Sequence, residues 1–123
     1  MGDIVKYLYK RGINMSDVKT FVAGHKSPDT DSICSAISYA NLLTQMGTPA
    51  TPVCAGDANK ETKYALEHFG FEHPQIVTNW EEFAPNSGDL YLTDHNESKQ
   101  ILDGYKSMNM CGVHDHHRIG AFE

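Results

Sequence analysis

The sequence predicts an α/β domain built on a mainly parallel sheet flanked by helices. Short apolar runs of strand character alternate with segments whose apolar residues recur at helical spacing. Three polar clusters rich in aspartate and histidine each follow one of the strand-like runs. If the strands run parallel, those clusters collect at the carboxyl edge of the sheet, where open α/β folds place their ligands.

Ile4 to Lys10 reads as a short amphipathic helix ended by Gly12. Thr20 to Ala23 is a short buried strand leading into Gly24. From Ser32 to Met46, Ile33, Ala36, Ile37, Ala40 and Leu43 fall on one helical face. Asp29, Thr30 and Asp31 stand ahead of it as candidate N-caps, with Gly47 as its stop. Thr51 to Ala55 is a second strand and Lys60 to Phe69 a second helix, closed by Gly70. Gln75 to Val77 is a third short strand, and Asn79 to Gly88 is turn-rich. Leu90 to Thr93 is a buried strand, Ser98 to Tyr105 a helix, and Met110 to Val113 the last strand.

With 123 residues there is room for one domain with a core. The formal net charge of -6 argues against nucleic acid as a partner and would repel a polyphosphate unless bound cations invert the local field. The three cysteines, Cys34, Cys54 and Cys111, lack metal-type pairing, which suits a reducing cytoplasm. No apolar run reaches the length of a membrane span, so the expectation is a soluble cytoplasmic chain with no membrane partner.

The chemistry lies in the three clusters. His25, Asp29 and Asp31 share one loop, where two carboxylates two residues apart can face different metal ions. Asp94 at a strand end suits a bridging carboxylate, and His116 offers an imidazole from the opposite side. Mixed histidine and carboxylate ligands favour octahedral manganese, cobalt or magnesium over structural zinc. Two divalent ions would outweigh the three aspartates, clamp a phosphate linkage and supply hydroxide near neutral pH. The helix starting near Ser32 adds partial positive charge at the same place. His117 is placed to contact a phosphate oxygen or protonate the leaving group, and Lys26 and Arg118 to neutralise substrate charge.

Other residues have blander expectations. His68 and His73 read as surface or loop histidines, Cys34 and Cys111 as core residues, and His114 as structural. Asp115 reads as a group orienting an imidazole. His95, Asn96 and Glu97 divide evenly between capping the next helix and touching substrate.

The segments Gly24-His25-Lys26-Ser27-Pro28-Asp29-Thr30-Asp31-Ser32-Ile33-Cys34-Ser35-Ala36, Asp94-His95-Asn96-Glu97 and Asp115-His116-His117-Arg118-Ile119 resemble the signatures of one family. From about Phe21 to Glu123 the chain is similar to the N-terminal part of a family II, manganese-dependent inorganic pyrophosphatase of the DHH phosphoesterase superfamily. Gly56-Asp57-Ala58-Asn59-Lys60-Glu61-Thr62 is a secondary match, and Ser27 stands where the family commonly has asparagine.

The resemblance implies a Rossmann-like fold and two divalent ions, Mn2+ foremost. His25, Asp29, Asp31, Asp94 and His116 would be the ligands, with Asp94 bridging and acting with His117 in catalysis. The implied reaction is hydrolysis of pyrophosphate to two phosphates. It further implies a layout of residues 1–18 as an N-terminal extension and 19–123 as a partial DHH domain, truncated at its C-terminus with the substrate-clamp domain absent. A non-catalytic DHH module and an exopolyphosphatase are the alternatives. The N-terminal helix is expected to serve packing or subunit contact, with a homodimer as the assembly it would fit.

Overall fold

A computed structural model of the protein describes residues 19–84 and 88–116. The expected helix at Ile4 to Lys10 and the residues His117 and Arg118 lie outside the described residues. Five strands, β1 (Thr20–Ala23), β2 (Thr51–Cys54), β3 (Gln75–Ile76), β4 (Asp89–Thr93) and β5 (Asn109–His114), form one sheet. Their order is β3-β2-β1-β4-β5 and every pairing is parallel.

Helix α1 (Thr30–Gln45) joins β1 to β2, and α2 (Lys60–His68) joins β2 to β3. Asp29 caps α1 by accepting the Ser32 N–H at 2.9 Å, so of the three candidate caps it is the one used. Asn59 caps α2 in the same way through the Thr62 N–H at 2.8 Å. Gly47 and Gly70 follow the two helices with φ of 103° and 76°, as their expected stops require.

Side chains alternate across the sheet with the period of two that a strand imposes. Val22 faces Ala36, Ala40 and Leu43 of α1, while Ala23, Val53, Leu90 and Leu92 face the other way around Trp80. Cys54 joins Ile33, Ile37 and Leu66 between α1 and α2. Both faces of the central strands are therefore covered, which explains why they read as continuous apolar runs.

Two elements differ from expectation. Ser98 to Tyr105 is not a helix: two short 3-10 turns, Ser98–Gln100 and Tyr105–Ser107, flank a non-helical stretch. Ile101 and Leu102 are both buried, 1% and 2% exposed, against Trp80. Their backbone path, extended at Ile101, lets consecutive residues enter that core. Gly104, at φ 83°, packs so tightly that a Cβ there would lie 2.5 Å from Asn79 Oδ1. The second difference is a helical turn, α3 (Trp80–Phe83), inside the stretch expected to be turns. Asn79 caps it through the Glu81 N–H, and the fully buried Trp80 anchors it. Asn79 followed by Trp-Glu-Glu was the available signal, a capping residue with acidic residues in the first turn.

Chain order places the site. After β3 the chain returns to pair β4 with the free side of β1, so β1 and β4 are neighbours whose connections run in opposite directions across the sheet. That is the topological switch point of an open α/β sheet. Register does the rest. Ala23 pairs with Leu92, so His25 and Asp94, two residues further on, come out level. On the other side the register shifts between Leu90 and Tyr91, which pair with Met110 and Gly112, leaving Cys111 as an extra residue. Thr93 consequently pairs with His114, and His116 follows close to Asp94. Cys111 is exposed on this edge strand rather than in the core, and Cys34 is half-buried. Among the described residues no helix is long and apolar enough to cross a membrane.

Candidate metal centre

The first loop begins at Gly24, buried where β1 meets α1. A Cβ on this residue would lie 1.9 Å from Ser32 Oγ, so only glycine lets the helix start this close to the strand end. His25 follows, with Nδ1 2.6 Å from the Lys26 carbonyl oxygen. A carbonyl can only accept, so Nδ1 carries the hydrogen. His25 Nε2 then faces Asp94 Oδ2 at 3.3 Å and Asp29 Oδ1 at 3.5 Å. Three electron-rich atoms converge there, an arrangement that a metal cation among them would satisfy.

Asp94 is the hub. Its side chain is 5% exposed, and its backbone is in the left-handed region at φ 62°, uncommon for a residue other than glycine. Its N–H donates to the His114 carbonyl at 2.9 Å, which ties the strand end to β5. One carboxylate oxygen faces His25; the other, Oδ1, lies 2.9 Å from His116 Nε2. Two groups of donors therefore share this carboxylate. His25, Asp29 and Asp94 bring ligand atoms within 4.8 Å of one another, and so do Asp31, Asp94 and His116. All five residues expected as ligands come together. The donor set, imidazole nitrogen with carboxylate oxygen, suits a divalent cation at each position.

Asp115 supports the second group from behind. It accepts the Asn96 side-chain amide at Oδ2, 2.7 Å, and the His116 N–H at Oδ1, 2.9 Å. It thus holds the His116 backbone, and Asn96 in turn braces Asp115. Sequence reasoning divided Asn96 between capping a helix and touching substrate, and its partner Asp115, 19 residues away, left no local signal.

His95 is 1% exposed, donates from Nδ1 to the Thr93 carbonyl at 2.7 Å, and meets His25 edge-on with ring centroids 6.2 Å apart. Burial, and less strongly the neighbouring His25, hold its pKa below the usual histidine value.

Lys26 has a partner far along the chain. Its ammonium is 2.6 Å from Asp103 Oδ1, and its backbone N–H donates to Gln100 O, so it fastens the loop to the segment after β4. His114, exposed at the end of β5, meets the Tyr39 ring at a tilt with centroids 4.4 Å apart and lines the cleft beside the second group. A cleft of about 540 Å³ opens beside the second group, lined by Asp31, Ser35, Ser38, Asp94, Asp115 and His116. Burial and the Asp31 charge raise the pKa of Cys34, also on this cleft, so its thiol stays protonated near neutrality.

Fold and site together define a class: a parallel α/β domain with two groups of histidine and carboxylate side chains that could hold cations, sharing one carboxylate at its switch point. Residues 19–123 match the DHH family, N-terminal domain, and the chain belongs to that family. It is 43% identical over 106 residues to a protein of Oceanobacillus iheyensis and 45% identical over 105 residues to one of Bacillus licheniformis. Each is named "Probable manganese-dependent inorganic pyrophosphatase". The matches cover 86% and 85% of this chain but 33% of each relative, so the chain spans about a third of their length. Its structure is similar to the crystal structure of a Methanococcus jannaschii "putative family II inorganic pyrophosphatase", with a TM-score of 0.70 and 35% identity. That likeness covers 82% of this chain and 30% of the other.

Proposed function

We propose that this chain carries the metal-binding portion of a manganese-dependent inorganic pyrophosphatase, hydrolysing pyrophosphate to two phosphates. The observation that carries the proposal is the shared Asp94 carboxylate, with His25 on one oxygen and His116 on the other. The names of the relatives support manganese and pyrophosphate in particular.

In this assignment His25 and Asp29 hold one ion, Asp31 and His116 the other, and Asp94 both. When bound, the pair supplies an activated water and positive charge for the phosphate oxygens. The protein's own contribution is positional. Asp94, buried and held by the His114 carbonyl, keeps both carboxylate oxygens aimed across the switch point. The N-terminus of α1 lies at Asp29 to Asp31 and favours an anionic substrate beside it. His117, next to His116 in the sequence, is assigned to the substrate and the leaving group, and Arg118 to substrate charge. Lys26 is assigned to the outer wall through Asp103 rather than to the reacting phosphates.

Phosphate release from pyrophosphate, with manganese and with chelator, tests the assignment. Release that needs manganese and disappears in Asp94→Ala is expected of a chain sufficient for turnover. Manganese binding without release would confine its role to metal binding. No manganese binding would overturn the proposal.

A further inference from the structure

The segment Asn59-Lys60-Glu61-Thr62 has no part in the metal centre, yet it reaches the turn that carries two of the assigned ligands. Thr30 lies between Asp29 and Asp31. Its hydroxyl donates to Glu61 Oε1 at 2.6 Å and lies 2.8 Å from Thr62 Oγ1. Thr62 is fully buried, and its hydroxyl reaches Asn59 Oδ1 at 2.9 Å. Proton counting orders the chain of contacts. Thr30 has one hydroxyl proton, and with that proton on Glu61 it can only accept from Thr62. The Thr62 proton then lies between Thr30 and Asn59, which also accepts the Thr62 N–H at 2.8 Å and caps α2.

The anchor for this chain is rigid. Preceding Asn59, Ala58 donates its N–H to His73 Nε2 at 3.0 Å, and His73 Nδ1 donates to the Pro74 carbonyl at 2.7 Å. The start of α2 is therefore fixed to the segment entering β3. Asp29 and Asp31 themselves are exposed. Asp29 is held at the cap by the Ser32 N–H and Asp31 lies in the first turn of α1, so their relative placement follows the backbone at Thr30, the residue between them.

We infer that Asn59, Glu61 and Thr62 form a positioning latch that grips Thr30 and so fixes the spacing of Asp29 and Asp31, one for each cation position. The metal part of this inference rests on the proposed function; the mechanical part does not. The latch makes the α2 N-terminus, on the far side of β2 from the switch point, a determinant of how both ions are held.

Hydrogen exchange and Mn2+ titration of this chain test it together. Thr30→Val and Thr62→Val remove one hydroxyl each, Thr30→Ser restores it, and Glu61→Ala removes only an exposed acceptor. Amides of residues 29–33 should exchange about fivefold faster in the two valine variants, as expected for one lost hydrogen bond, with β4 and β5 unmoved. Mn2+ should bind about tenfold more weakly, the lower end of the usual effect of outer supporting groups. Thr30→Ser should return both readouts to the parent values, and Glu61→Ala should move them less than Thr30→Val.

Unchanged exchange in Thr30→Val overturns the latch. So does a Thr30→Ser variant that behaves like valine, because methyl packing would then hold the turn. If exchange responds as expected but the parent chain binds no Mn2+, the metal assignment fails while the latch stands.

Discussion

Two neighbouring regions of the carboxyl edge carry similar residues and differ in what surrounds them. At the end of β2 and the entry to β3 stand Cys54, Asp57 and His73; beyond β1 and β4 stand His25, Asp29, Asp31 and Asp94. In the first region the groups satisfy one another. His73 donates from Nδ1 to Pro74, and its Nε2, 3.2 Å from Asp57 Oδ1, shares the Ala58 N–H with that oxygen, so a protein donor lies between the two acceptors. Asp57 pairs with Lys63 at 2.8 Å, and that hydrogen bond is the main reason its carboxyl lies below the ordinary aspartate range. Burial raises Cys54 to about 11, so it stays a protonated thiol at neutral pH. In the second region carboxylates face imidazole nitrogens around a common point, an arrangement that calls for a cation. Residue type does not distinguish the two regions; the convergence of three ligand atoms at a time does, seen among the described residues only around Asp94.

The largest expected effect tests the hub. Asp94→Ala should weaken manganese binding at both positions by more than about 100-fold, beyond the roughly 10–100-fold typical of outer supporting groups. Loss of only one ion in a titration would break the bridging assignment.

Asp29 separates ligation from folding, since it both caps α1 and faces His25. Asp29→Asn should keep the cap, with stability within about 0.5 kcal/mol of the parent, and lose affinity for one ion. Asp29→Ala should lose that affinity and also about 1 kcal/mol of stability. Chemical denaturation alongside metal titration reads both.

The other region should behave in the opposite way. His73→Ala is expected to cost about 1–2 kcal/mol of stability through its two hydrogen bonds while lowering manganese affinity less than Thr30→Val does, since it reaches the latch only through Ala58 and Asn59. A larger loss of affinity would mean that the two regions are one unit.

A smaller effect concerns pH. His95 has a folded pKa held below its usual 6.5, so the unfolded chain takes up a proton that the folded chain refuses. Stability should be fully present above about pH 6.5 and fall as the pH drops toward the folded value. In the metal-free chain, His95→Asn should flatten the dependence of the unfolding midpoint on pH in that range.

The smallest is a gain. Ser27 sits at φ 53°, where asparagine is better tolerated than serine, so Ser27→Asn should stabilise the loop by about 0.5 kcal/mol or less.

The sheet and the residues that meet at its switch point were legible because each rests on local pattern. Apolar runs, the Asp29 cap and the stops at Gly47 and Gly70 are signals carried within a few residues. Strand order is not local, so the placing of β4 beside β1 could be seen only in the structure. The helix expected at Ser98 to Tyr105 failed because its spacing was read without the core formed by Trp80, Ile101 and Leu102, which draws adjacent residues inward. Lys26 was assigned by charge and proximity in sequence, but Asp103, 77 residues away, claims it. The Thr30 latch escaped notice for the same reason: its partners lie 31 and 32 residues further along the chain.

The most direct measurement is the stoichiometry of manganese binding to this chain, read by calorimetry and by electron paramagnetic resonance. Two ions per chain with a spin-coupled signal are expected if Asp94 bridges adjoining positions. One ion, or two without coupling, would contradict a shared carboxylate at the switch point.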